Sequence, residues 1–422
     1  MLSRLSIRAQ SSAAAAAAPN TLASAFDLRS SRLTSGLSVT SVDLNQPIAH
    51  LSIAFRAGSR HQSAIEAGFA HRLRNAIGGD SRRAKGLTML WQAGAIGADV
   101  KTTVDRENII LSMSFPRSHT SLGASLLSEL AQPSLEAWEL DDTLDLLKSD
   151  VANLSTYERV NQLLHEAAYR NGGLAQSPYA GPHNVGSVHF SKIQDYAASR
   201  LVASECAVVG VNVDHGELQS FFAEKAFIQE SKNRKEQAAS TYHGHGEARR
   251  EGCASGAAVA VAGEAPSLAA DAKALLAGAV VAQIAQKELK SSSIVYSPYS
   301  DSGLFGFYME GKADVSFASQ IKANVSALKT LDSKVDESSL KAAKAAAKVA
   351  LLNRADKGEE LASSLAASVL SPSKDLHTPS DLATIIDSIS INDAKEVARN
   401  AGARLSLGAI GNIRHVPYLD EC

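Results

Sequence analysis

Apolar and polar positions change period repeatedly along this chain. Ala49 to Phe55 and Cys206 to Val213 are short apolar runs of the kind that form buried strands, and Asn108 to Phe115 alternates apolar with polar residues. Glu66 to Ile77 has a different rhythm. Phe69, Leu73, Ala76 and Ile77 recur at helical spacing and predict one apolar face, while His71, Arg74 and Asn75 fall together on the other. Gly78-Gly79 then ends the predicted helix. Asp141 to Ala168 reads as one long helix. Strands and helices mixed in this way predict an α/β (α+β) fold of mixed sheets packed with helices.

The pattern occurs twice. Val211-Asn-Val-Asp-His215 is echoed by Gly411-Asn-Ile-Arg-His415, with Asn212 and Asn412 lying 200 residues apart. Ile53 to Gly58 has a counterpart in Ala258 to Gly263, and Leu163 to Ala168 in Leu361 to Ala366, at nearly the same offset. Two homologous halves are expected. Gln229 to Gly252 is polar and charged without apolar period, so it is expected to be a linker with no buried face. The expected organisation is a presequence over 1–20, an N-terminal domain over 21–228, the linker over 229–252 and a C-terminal domain over 253–422. Within the second half, Lys341, Lys344 and Lys348 lie along one side of an alanine-rich helix, read here as a solvated surface.

Charge and cysteine content narrow the function. The 422 residues carry 42 Lys and Arg against 44 Asp and Glu, a net charge of -2, which offers no electrostatic grip on nucleic acid or an anionic membrane. Cys206, Cys253 and Cys422 are widely spaced and form no CxxC pair, so neither a disulfide framework nor a thiolate zinc site is indicated. No apolar stretch is long enough to span a bilayer. The first acidic residue is Asp27; before it come Arg4, Arg8 and an alanine run, the acid-poor amphipathic pattern of a mitochondrial import presequence.

Arg56-Ala-Gly-Ser-Arg-His61, Gly68-Phe-Ala-His71, Gly94 to Gly97 and Arg106-Glu-Asn108 resemble the first domain of the inverted-zincin metallopeptidases, which include the mitochondrial processing peptidase. In that family an H-x-x-E-H segment supplies two zinc ligands and the carboxylate that activates water. Here the five positions are His71-Arg-Leu-Arg74-Asn75. An amide is a poor substitute for imidazole, and a guanidinium cannot act as a base. At ~4 Å from a divalent ion and an effective dielectric of about 20, its charge would cost on the order of 8 kcal/mol. The family's third ligand is expected around Lys148 to Ala152, where only Asp150 offers a carboxylate. The strand that receives extended substrate in active members is here Lys101-Thr102. The resemblance therefore implies a degenerate site at His71, Arg74, Asn75 and Asp150, with no catalytic residue, metal or cofactor, and with His71 on the helix surface. His243, His245 and Glu247 could hold only an adventitious metal, because a loop does not preorganise ligands.

Leu164-His-Glu-Ala-Ala-Tyr-Arg-Asn171, Tyr299 to Tyr308 and His415 to Glu421 resemble a non-catalytic branch of the family, the core subunits of ubiquinol cytochrome c reductase (respiratory complex III). The non-catalytic subunit of the processing peptidase is the alternative. Its mark is a glycine-rich loop, where Leu276 to Ser293 has only Gly278. The core-subunit resemblance implies a clamshell of two peptidase-like domains paired with a homologous first core subunit. It also implies cytochrome b, cytochrome c1 and iron-sulfur subunits as neighbours, and a peripheral place on the matrix side of the mitochondrial inner membrane.

Overall fold

A computed structural model of the chain describes residues 26–181, 184–185, 190–224, 228–230, 236, 238–252, 256–371 and 376–422. The expected presequence and Cys253 lie outside these residues. The first half runs β1 (Asp27–Arg32), β2 (Ser38–Asp43), β3 (Ile48–Phe55), α1 (Phe69–Ala76), α2 (Gly86–Ala95), β4 (Asp99–Val104) and β5 (Ile109–Pro116). It continues through α3 (Thr120–Leu130), α4 (Ala137–Asp142), α5 (Leu144–Ala152), α6 (Thr156–Tyr169), α7 (Phe190–Arg200), β6 (Cys206–Val211) and α8 (His215–Glu224). The second half runs β7 (Glu247–Glu251), β8 (Gly256–Glu264), α9 (Ala272–Glu288), β9 (Ser293–Pro298), β10 (Gly303–Lys312) and α10 (Val315–Lys329). It ends with α11 (Glu337–Ala355), α12 (Gly358–Leu370), α13 (Pro379–Ser388), α14 (Ile391–Ala403) and β11 (Ser406–Gly411).

The two sheets have matching orders, β1-β2-β6-β3-β5-β4 and β7-β11-β8-β10-β9. With β1 set aside, each has one parallel pair (β2 with β6, β7 with β11) among antiparallel neighbours. The duplication inferred from residue spacing is thus repeated in strand order, and the α/β reading stands.

Each sheet buries one face under helices of its own half. Leu51, Ile53, Leu111 and Met113 pack with Phe69 and Leu73 in the first core, and Val259, Val261, Phe305 and Phe307 with Val281 and Ile321 in the second. The opposite faces are covered by exchange. Leu361, Leu365, Ala366 and Leu370 of α12 pack on Ala54, Ile110, Val209 and Val211 of the first sheet. Val160, Leu164 and Ala168 of α6 pack on Ala258, Ala260 and Ala262 of the second. The approach of α6 is close: a Cβ on Gly408 of β11 would lie 2.5 Å from the Leu164 nitrogen, so glycine is required there. Burial of both sheet faces also explains why β5, read as alternating, is buried at most of its positions.

Several expectations need correction. Asp141 to Ala168 is not one helix: α5 ends at Ala152, and Ser155 caps α6 through a reciprocal capping box with Glu158, which starts a new helix after the break. The expected linker is partly structured. Residues 247–251 form β7, and Tyr242 is buried, its hydroxyl donating to the carbonyls of Arg404 and Ala262. The backbone N–H groups of His243 and His245 also donate, to the carbonyls of Ala168 and Leu405, so the stretch is held although it has no apolar period. The lysine side of α11 is also engaged, because Lys344 and Lys348 donate to the Asp387 carbonyl and carboxylate at the end of α13.

Candidate functional site

Helix α1 begins at Gly68, whose backbone is left-handed at φ 91° and whose Cβ, if present, would meet that of Ala180 at 2.8 Å. The helix therefore starts tight against the segment that follows α6. Phe69, Leu73 and Ala76 enter the core as their spacing predicts. His71 does not lie on the surface as expected: it is fully buried, because Tyr179 stacks edge-on at 5.2 Å and the Ala180 backbone closes over the ring. A short helix packed on two sides has little surface to offer.

The polar face of α1 converges on one atom. Asp150, on α5, presents Oδ2 3.1 Å from His71 Nε2, 2.8 Å from Arg74 Nη1 and 3.1 Å from Asn75 Nδ2. The Ala180 backbone N–H donates to His71 Nδ1 at 3.2 Å, which leaves the imidazole proton on Nε2 to be donated to Asp150. Burial holds the His71 pKa below its ordinary value, against the pull of Asp150, so the ring is neutral. Burial raises the Asp150 pKa, but hydrogen bonds from Asn75 and His71 and the Arg74 charge outweigh it, and the carboxyl ends below its usual range. Arg74 Nη1 also donates to Asn75 Oδ1 at 2.7 Å, and its Nε donates to the Thr102 carbonyl on edge strand β4 at 3.4 Å.

This arrangement does not suit a metal. The His71 nitrogen that would bind one carries a proton directed at Asp150, and the charge on Asp150 is already met by a guanidinium in contact. Among the described residues no His, Cys, Asp and Glu group is placed to hold a metal ion. Arg74, as a guanidinium, cannot act as a base. Elsewhere, Glu247 is turned to Arg249 at 2.8 Å and to the Leu419 N–H at 2.7 Å, away from a role beside His243 and His245.

The sequence reading gave no role to the seam between the halves, where the family-like segments meet. The Arg60 side chain, 1% exposed, donates to Glu107 at 2.8 Å, Ser300 at 2.9 Å, the Ala238 carbonyl and Asp301. His165 Nδ1 donates to the Asn161 carbonyl, so its Nε2 accepts the Tyr299 hydroxyl at 2.8 Å; Tyr169 joins Ser302 at 3.0 Å. Motifs dispersed in sequence thus form one polar junction tying the first sheet to β9 and β10. The clue available beforehand was that charged residues recurred in segments otherwise destined for burial.

Residues 38–182 match the family model described as insulinase (peptidase family M16). The chain is 27% identical to human "Cytochrome b-c1 complex subunit 2, mitochondrial", with 94% of this chain and 92% of the human protein covered. The protein of the same name from Yarrowia lipolytica is 25% identical, with 92% and 94% covered. The likeness to subunit 2 of the cytochrome b-c1 complex runs nearly end to end. "Mitochondrial-processing peptidase subunit alpha-2" of Dictyostelium discoideum is also similar, at 22% identity over 93% of this chain and 94% of that one. A chain of the solved structure "Complex III2 from Candida albicans, Inz-5 bound" shares the fold, with a TM-score of 0.80 and 18% identity over 92% of this chain and 97% of that one. The mixed sheets packed with helices are therefore the fold of that solved chain.

Proposed function

We propose that this chain is a non-catalytic core subunit of respiratory complex III, supporting assembly and stability of the quinol-oxidising, cytochrome c-reducing machinery. The observation carrying the reading is the Asp150 carboxylate, whose Oδ2 accepts from His71, Arg74 and Asn75 where a peptidase would need open metal ligands. The end-to-end likeness to subunit 2 proteins supplies the complex. In this reading residues 1–20 are an import presequence, and domains over 21–228 and 253–422 form the clamshell that pairs with a homologous first core subunit. Cytochrome b, cytochrome c1 and the iron-sulfur subunit are its neighbours. Among the described residues no helix is long and apolar enough to cross a membrane, which accords with a peripheral place reached through partners on the matrix side. Support comes from buried interface rather than chemistry, since obligate interfaces commonly exceed ~2,000 Å².

Native electrophoresis of mitochondria tests this. The chain is expected to comigrate with cytochrome b. The second reading, a presequence-receiving subunit of the processing peptidase, is favoured by the Dictyostelium similarity. Copurification with an H-x-x-E-H subunit and without cytochromes would establish it instead.

A further inference from the structure

A largely apolar hollow lies where the exchanged helix α12 meets α9, α11 and α13. Its volume is about 600 Å³. By strand order α9 takes in the second half the place of α1 in the first, because α9 follows β8 as α1 follows β3, and Tyr296 and Pro298 of edge strand β9 form part of the wall. The space exists because small residues line it. Ala279 of α9 and Ala347 and Ala350 of α11 face Leu361 and Leu365 of α12, where larger side chains would close the gap.

Size and charge select the occupant. A small ligand fits: such sites commonly run from about 300 to 1,000 Å³, with apolar walls and few polar groups. The wall from Ala347 to Ala355 extends about 12 Å along α11, which suits a linear chain. At one end stands Arg354, whose guanidinium Nε is 4.0 Å from Glu360, while Glu360 is itself held by Lys357 at 2.7 Å. The Arg354 side chain is 71% exposed. Its charge is thus weakly met and available to an anion.

The geometry points to a binding site for a long-chain carboxylate, its acyl chain in the alanine-lined slot and its head group on Arg354. The bound chain would touch α12, which rests on the first sheet, together with α9, α11 and α13 of the second half, and so would bridge the two halves. This goes beyond the core-subunit reading and does not depend on it.

The test uses the full chain purified without detergent and cis-parinaric acid as a fluorescent probe, below its micellar range. Saturable one-to-one binding is expected, with competition by palmitate but not by methyl palmitate. Arg354→Gln should weaken binding about tenfold, the loss of one charge-assisted contact. Ala279→Leu with Ala350→Leu should abolish it while circular dichroism is unchanged. Arg354 is exposed, so its variant carries the test even if the leucine pair does not fold. Absence of saturable binding, equal competition by the methyl ester, or binding unaffected by Arg354→Gln would each overturn the proposal.

Discussion

Asp150 Oδ2 lies 3.1 Å from Nε2 of the buried His71 and accepts its proton. Two residues separated by 79 positions in sequence are thus held at hydrogen-bond distance by α1 and α5. A guanidinium and an amide complete the arrangement, and several consequences can be measured.

The first is that a metal site is two substitutions away. Arg74→Glu with Asn75→His removes the cation and adds a carboxylate and an imidazole, while His71 and Asp150 stay in place. The double variant is expected to bind about one equivalent of zinc by elemental analysis, whereas the unaltered chain binds none. Adding Asp150→Ala should abolish that binding. A double variant without zinc would mean that Asp150 swings out of reach once Arg74 is gone.

Stability should fall in mild acid. Burial lowers the pKa of His61, to about 2, and those of His71 and His165, with neighbouring arginines adding to the effect and Asp150 opposing it at His71. All three start from an unfolded value near 6.5. Below that pH the unfolded chain takes up protons that the folded chain refuses, so the stability present at neutral pH is lost as the pH drops from about 6.5 toward the folded values. Each histidine contributes at most about 1.4 kcal/mol per pH unit in that window. His165→Asn should reduce proton uptake on unfolding at pH 5.5 by about one proton, as read from the pH dependence of denaturant midpoints.

Removing the hub of the seam should be costly. Arg60→Ala leaves Glu107, Ser300 and Asp301 without their shared donor, and a loss of about 3–5 kcal/mol is expected from thermal or urea unfolding. Arg60→Lys should recover only part, because an ammonium cannot reproduce the fork that serves several acceptors. Limited proteolysis between the sheets should accelerate in the alanine variant.

Two glycines offer a paired comparison. Gly94, on exposed α2, has nothing within 4 Å of an added Cβ, so Gly94→Ala should stabilise by about 0.5–1 kcal/mol through helix propensity. Gly408→Ala drives a methyl into the α6 backbone and should destabilise by about 1–3 kcal/mol. Opposite signs in chemical denaturation would verify that α6 rests on β11.

Residue chemistry and local period were legible in the sequence. The stripe of Phe69, Leu73 and Ala76, the buried run Cys206 to Val211 and the duplication at a 200-residue spacing all follow from residue type and position. Period reports that a face is buried, not what buries it. Only the tertiary structure assigned α12 to the first sheet and α6 to the second, because both helices present similar leucine and alanine stripes that either sheet could accept. Only it enclosed His71, brought the short side chain of Asp150 within reach of three donors and gathered Arg60, Glu107, Ser300 and Asp301 at one seam. Those outcomes depend on directions in space set by packing between distant segments, and no single stretch of chain encodes them.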